Sequence, residues 1–182
     1  MFNLFKRKTT QPTTDHMFDE MLSAVSYRPK MDRILASRGL VVAPDSQTRL
    51  IQEAAIVTSF LINQSLSRSG KSLASLTANE RGLLGILTMV AGDHLSRMAA
   101  ASFELTTMAT FAHLFSAAIG AEGAATLLAQ SGANFNQLSS DPRTGHGLNQ
   151  FGKLVAKFFD TNENVYLEGL AALTRSWLKD NA

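Results

Sequence analysis

Apolar residues recur at intervals of three and four along most of the chain, the spacing that places them on one face of an α-helix. No long stretch alternates apolar and polar residues as a β-strand does, and no internal repeat is visible. The pattern therefore predicts an all-α fold, a single compact helical bundle of about six or seven helices. The indicated helical segments are 15–27, 30–37, 45–68, 78–91, 94–118, 122–130, 148–159 and 163–179.

The clearest helix start is the sequence Thr77-Ala-Asn-Glu80, which has the pattern of a capping box. In this motif the threonine side chain accepts a hydrogen bond from one free amide and the glutamate reaches back to another. Glycines and turn-forming residues predict the later boundaries. We expect a break or kink at Gly92-Asp93, a helix end at Gly120 and the longest loop over 133–147.

Small residues are concentrated in the middle of the chain, where Gly82, Gly85, Gly92 and the alanines 99–101 accompany the predicted central helices. Small side chains allow two helices to approach closely. This favours a small-residue-rich central pair of helices inside a tightly packed core. The alternative is a seam between two copies of the chain in a homodimer.

The least polar long window runs from Met98 to Gly120, and its ionisable residues are Glu104 and His113. Its length suits a transmembrane helix. Serines, threonines and alanines dilute its hydrophobicity, however, so we expect a buried central helix rather than a membrane span. His113 has apolar neighbours in the sequence, and we expect its imidazole to be mostly buried.

The composition narrows the function classes. The chain has 182 residues, 45% of them hydrophobic, and no cysteine, which excludes disulfides, zinc–thiolate sites and thiol catalysis. A formal net charge of +2 gives no argument for nucleic acid as a partner. The first residues lack the order of a secretory signal, so we expect a cytoplasmic protein.

The first eight residues combine apolar and basic side chains in a short N-terminal head. Its residues are Phe2, Leu4, Phe5, Lys6, Arg7 and Lys8. Such a head can insert its rings into an anionic membrane surface, at the inner face of a membrane, or dock in a groove of a partner protein. An ordinary disordered terminus is the third interpretation. Residues 9–14 are polar and predict a flexible tether, which leaves 15–182 as the helical domain.

The predicted loop at 139–147 is the most varied polar segment. It contains Arg143 and His146, which could together bind an anion or contact a partner. Loops carry binding residues more often than helices do. The alternative is a surface connector whose glycines serve turns.

Patterns for catalysis, cofactors and metals are weak. Gly147 to Lys153 has the glycine and lysine spacing of a P-loop, but Leu154 stands where Mg²⁺ needs a hydroxyl. No two histidines lie three or four positions apart, so no helix presents a two-histidine metal face. We therefore expect no cofactor, no metal and no enzymatic activity. The enzyme alternative is a dispersed site of Asp93, His94, Arg97 and Glu104.

The sequence thus favours a non-enzymatic cytoplasmic interaction protein, an adaptor or regulatory subunit, tethered to a membrane surface or a partner through its head. The partner is another protein, with a homodimer as a further possibility. The alternative function is a helical domain that binds or senses a small ligand in an apolar pocket. The residues expected to line that pocket are Phe103, Met108, Phe111 and Phe115.

Overall fold

The computed structural model describes residues 47–161 and 163–180, and within them it contains five α-helices and one 3₁₀ turn, with no strand. The helices are α1 (Gln47–Arg68), α2 (Ala78–Met98), α3 (Phe103–Ser140), α4 (Pro142–Thr161) and α5 (Asn164–Asp180), and the 3₁₀ turn is Leu73–Ser75. The predicted all-α class is confirmed, whereas the count of six or seven helices is not. The predicted N-terminal head, the tether and the helices at 15–27 and 30–37 lie outside the described residues.

Helix α2 begins at the predicted capping box. The Thr77 hydroxyl oxygen accepts from the amide of Glu80 at 3.2 Å, and Glu80 Oε2 accepts from the amide of Thr77 at 2.8 Å. Lys71, from the turn that precedes the helix, pairs with the other oxygen of the Glu80 carboxylate. The hydrogen bond from Lys71, followed by the one from the Thr77 amide, lowers the pKa of Glu80 below its ordinary value.

The predicted break at Gly92-Asp93 is wrong, because α2 continues to Met98. Gly92 is buried inside the helix, where a β-carbon would make an ordinary contact at 3.6 Å with Thr107 Oγ1 of α3. Asp93 pairs with Arg97 one turn later, which supports the helix. The chain turns instead at Ala100, where φ is 53°.

Helix α3 runs for 38 residues and is kinked at Gly120, where φ is 74° and ψ is 167°. Gly120 therefore ends the helix that begins at Phe103, as the sequence predicts, and it divides α3 into a first arm (103–119) and a second arm (121–140). The predicted loop over 133–147 is wrong, because the second arm extends to Ser140 and Pro142 already begins α4. Buried Leu127 and Ser131 lie four residues apart on the second arm, which anchors it to the bundle although the segment is rich in glycine and asparagine.

Helix α2 lies at the centre of the bundle and contacts each of the other four helices. Helices α1 and α5 close the bundle on one side. There the hydroxyls of Ser65 and Thr174 lie 2.6 Å apart in the core, and Arg175 donates to the backbone oxygen of Ser69 at 3.2 Å. The large fully buried side chains come from all five helices and include Leu61, Leu84, Phe111, Phe115, Phe151, Phe158 and Leu170.

Candidate functional site

The first arm of α3 has three threonines among the apolar residues of its inner side and large apolar residues on its outer side. Thr106, Thr107 and Thr110 are buried against the bundle. In contrast, Leu105 is 50% exposed and Met108 is 57% exposed. Phe111, Leu114 and Phe115 are buried on the same inner side, so the arm has the apolar stripe of an ordinary surface helix and, in addition, two large apolar residues that face outward.

Only some of the buried hydroxyl groups on the inner side of α3 form hydrogen bonds. The Thr110 hydroxyl donates to the backbone oxygen of Thr106 at 2.7 Å, four residues earlier in the same helix. The side-chain oxygens of Thr106, Thr107 and Ser131 are buried without a hydrogen-bond partner among the described residues. A buried hydroxyl without a partner costs about 1–3 kcal/mol, so these hydroxyls offset part of the stabilisation that α3 gains from its buried apolar side chains.

The outer face of α3, defined here by Leu105, Met108, Ala109 and Ala112, is uncharged. No Asp, Glu, Lys or Arg lies between Glu104 and Glu122 in the sequence. Within the described part of the chain, α3 is the one helix long and apolar enough to cross a membrane, which is weak evidence because soluble core helices meet the same criteria. The expectation of a buried central helix thus holds for the inner side of this arm and fails for its outer face. The imidazole of His113, expected to be buried, is exposed as well.

The pocket predicted from four apolar residues of α3 does not form. Phe111 and Phe115 are fully buried in the core, where their ring centroids lie 5.2 Å apart. Phe103 and Met108 are on the surface of the same helix. The four side chains differ in burial, two in the core and two on the surface, so they do not line a common pocket.

Arg143 and His146 lie on the first turns of α4 and not on a loop. Asp141 caps this helix: its Oδ2 accepts from the Thr144 amide at 2.9 Å and from the Thr144 hydroxyl at 2.8 Å. The hydrogen bonds from Thr144 lower the pKa of Asp141 below its ordinary value. Both Arg143 and His146 are exposed.

A cleft of about 470 Å³ opens between the start of α4 and the end of α5, and we call it the α4–α5 cleft. Its floor is apolar, with Leu87 and Phe151 almost fully buried and Trp177 beside them. The Trp177 indole donates to the backbone oxygen of Leu83 at 3.0 Å, which fixes the ring against α2. Arg143 lines this cleft, whereas His146 does not, so the two residues are not brought together there.

Four residues were considered as a dispersed active site. Asp93, His94 and Arg97 lie in the last turns of α2, and Glu104 lies in the first turn of α3. The pKa of His94 is lowered, first by burial and then by the nearby charge of Arg97. Among the described residues no three His, Asp or Glu side chains come together as a metal site, so His94, Glu104 and His113 do not form one. The sequence resembling a P-loop, from Gly147 onward, is an ordinary part of helix α4.

Comparison with known proteins adds no assignment: no family model, no curated protein and no solved structure matches this chain. Two surfaces of the described residues are suited to binding: the outer face of α3 and the α4–α5 cleft.

Proposed function

We propose that the protein is a non-enzymatic interaction protein, an adaptor or regulatory subunit, that binds a partner protein through the outer face of α3. One observation supports this proposal above the others. Leu105 and Met108, two large apolar side chains, are at least half exposed on a helix face that carries no charge. Exposed apolar surface of this kind is typical of sites where proteins contact one another.

The chemistry of the face indicates the kind of partner. Ala109 and Ala112 leave shallow depressions beside Leu105 and Met108, so a partner helix with its own apolar stripe would pack closely. No charged group of the face would have to be desolvated. Fully burying one Leu or Met side chain contributes about 1.5–3 kcal/mol, and half of that is already gained in the free protein. The face alone therefore supports a weak, reversible contact.

The N-terminal head is the proposed second contact. Its apolar side chains, Phe2, Leu4 and Phe5, would enter the surface of a membrane while the basic residues Lys6 to Lys8 meet anionic lipid. Each basic residue contributes about 1 kcal/mol near such a surface. A cytoplasmic protein held in this way would be peripheral at the inner face of a membrane, which would raise its local concentration near a partner there.

The test compares capture of partner proteins by the full chain and by two double variants. Leu105→Lys with Met108→Lys places two charges on the outer face of α3. Asn149→Lys with Gln150→Lys adds the same charge at exposed positions of α4. We expect a partner that the wild type and the α4 variant retain and that the α3 variant loses. Equal capture by all three proteins would refute the role of the α3 face.

A second candidate function is a helical domain that binds a small ligand. The α4–α5 cleft supports it, since a volume of about 470 Å³ lies in the range of small-molecule sites. The residues that line this cleft are not the four residues of α3 that the sequence predicted to line a pocket. Native mass spectrometry of the purified full chain tests this candidate through the bound mass that it detects. Size-exclusion chromatography with light scattering at several concentrations tests the homodimer.

A further inference from the structure

The walls of the α4–α5 cleft carry opposite charges on opposite helices. Arg143 lies on the α4 side and is exposed, and its charge helps to lower the pKa of the neighbouring Asp141. Asp180 lies on the α5 side and accepts a 2.6 Å hydrogen bond from the Ser176 hydroxyl through one carboxylate oxygen. Both groups therefore have capacity for further hydrogen bonds at the rim.

Asp141 lines the same cleft but is already committed to the fold. Its Oδ2 accepts both the amide and the hydroxyl of Thr144, and this cap begins helix α4. With Arg143, Asp141 and Asp180 all ionised, the rim has a net charge of −1. An anion such as phosphate would meet one cation and two carboxylates, and it would have to displace the cap to reach the amides of the helix. The rim thus disfavours a purely anionic ligand.

The base of the cleft favours a ligand with an apolar part. Leu87 and Phe151 are each 1% exposed and form its closed bottom, whereas Trp177, 8% exposed, and half-buried Leu173 are the apolar side chains that a ligand can reach. We call these four residues the floor of the cleft. A ligand that lies on this floor gains from removing its own apolar surface from water.

We infer that the α4–α5 cleft binds a small zwitterion with an apolar body, namely an apolar amino acid or short apolar peptide. The carboxylate of the ligand meets the guanidinium of Arg143, whose planar fork suits a carboxylate. Its ammonium group meets the carboxylate of Asp180, and its side chain lies on the floor beside Trp177. The cleft volume of about 470 Å³ leaves room for one amino acid or a dipeptide together with bridging water.

This inference rests on the second candidate function and gives it a ligand class, and it does not depend on the outer face of α3. The chain contains one tryptophan, and that residue lies in the cleft. Tryptophan fluorescence of the full-length protein therefore reports on the cleft alone. Neither L-leucine nor L-leucyl-L-leucine absorbs at the excitation wavelength, so both serve as probes.

We expect a saturable change in Trp177 fluorescence on titration with L-leucyl-L-leucine or L-leucine. N-acetyl-L-leucine lacks the ammonium group and L-leucinamide lacks the carboxylate, and each should bind about tenfold more weakly or worse because one charged hydrogen bond is lost. Arg143→Gln and Asp180→Asn should each weaken binding of the dipeptide by a similar factor. Lys153→Gln, at an exposed position of α4 outside the cleft, is the matched control and should bind as the wild type does.

Circular dichroism and the melting temperature of each variant establish that it is folded. Two results would overturn the inference: no saturable response to either probe in the wild type, or unchanged binding in folded Arg143→Gln and Asp180→Asn proteins. If native mass spectrometry then shows a bound molecule of another class, the second candidate function stands and the zwitterion is wrong. If no small molecule binds at all, both fail, and the proposal for the α3 face is unaffected.

Discussion

Gly85 of α2 and Ser131 of the second arm of α3 face each other so closely that a β-carbon on Gly85 would overlap the side-chain oxygen of Ser131. Such a β-carbon would also lie 3.2 Å from Ser131 Cβ and 3.3 Å from Phe111 Cζ. The Ser131 hydroxyl is buried and has no hydrogen-bond partner among the described residues. The distance between the two helices is therefore set at this point by the absence of a single methyl group.

Replacing Gly85 with alanine should reduce the free energy of unfolding by about 1–3 kcal/mol, because the added methyl group forces α2 and α3 apart. Urea denaturation measures the change. Gly82→Ala is the matched control on the same helix, since nothing lies within 4 Å of a β-carbon at Gly82. That control should gain about 0.5–1 kcal/mol from the better helix propensity of alanine. Equal effects of the two substitutions would contradict the close approach at Gly85.

Replacing Ser131 with alanine should leave the stability unchanged or raise it by about 1 kcal/mol, because the substitution removes a buried hydroxyl that has no partner. The same substitution should also relieve most of the loss caused by Gly85→Ala, since the overlapping oxygen is gone. A double-mutant cycle in urea measures this coupling. Strictly additive effects of the two substitutions would show that Gly85 and Ser131 are not in contact.

Two glycines in the first turns of α4 should respond in opposite directions to alanine. A β-carbon at Gly147 would lie 3.9 Å from the Trp177 ring, an ordinary contact. A β-carbon at Gly145 would lie 2.6 Å from the backbone oxygen of Ser139, which cannot move without distorting α3. We expect Gly147→Ala to raise the melting temperature and Gly145→Ala to lower it, as followed by circular dichroism. A rise for both variants would argue against the tight junction between α3 and α4.

The ion pair of Lys71 and Glu80 should make stability depend on pH in the acid range. The pKa of Glu80 is lowered in the folded protein, so the folded state favours the carboxylate more than the unfolded state does. This contribution is complete above the ordinary value near 4.5 and is lost as the pH falls through the lowered folded pKa. Wild type should therefore be more stable than Glu80→Gln at pH 7, and the difference should shrink below about pH 4.5.

Urea denaturation from pH 7 to pH 3 measures this difference. Glutamine can still accept the hydrogen bond of the capping box, so the comparison isolates the charge of Glu80. Glu122→Gln is the control at an exposed position of α3. A difference between wild type and Glu80→Gln that is the same at every pH would contradict the lowered pKa.

We expect the N-terminal head to be required for binding of the protein to anionic vesicles. We expect the full chain to float with vesicles that contain phosphatidylserine and a chain without residues 1–8 to stay in solution. Neutralising Lys6, Arg7 and Lys8 with glutamine should reduce flotation strongly, and 0.5 M salt should do the same to the wild type, because the attraction is electrostatic. Equal flotation with and without the head would remove the membrane from the proposed function.

The sequence predicts well those helix boundaries that are fixed by hydrogen bonds between neighbouring residues. The start of α2 is confirmed because Thr77 and Glu80 make the cap with their own backbone. The break between α2 and α3 was misplaced because it lies among alanines, which are good helix formers, and Ala100 adopts a positive φ. Local hydrogen bonds close that turn, among them the one from the Ala101 amide to the Ser96 oxygen at 2.9 Å. The local signal that was missed is Ser102, whose side chain accepts from the Leu105 amide and caps α3.

The candidate sites were predicted only in part, because both depend on tertiary contacts. Arg143 was identified from its varied surroundings, but its place beside Trp177 and Asp180 results from the packing of α4 against α5. Nothing in the sequence relates Leu87 to Asp180. The outer face of α3 was missed since threonine and alanine differ little in hydrophobicity, and the pattern did not show which of them faces the core.

The contact of α1 with α5 has a consequence for synthesis of the chain. Ser65 and Thr174 are 109 positions apart, and Arg175 reaches back to Ser69 across 106 positions. Helix α1 also contacts α2 and α3, which can cover part of its apolar side early, but the part around Ser65 stays uncovered until α5 has emerged from the ribosome. A nascent chain with apolar surface still uncovered is prone to aggregation.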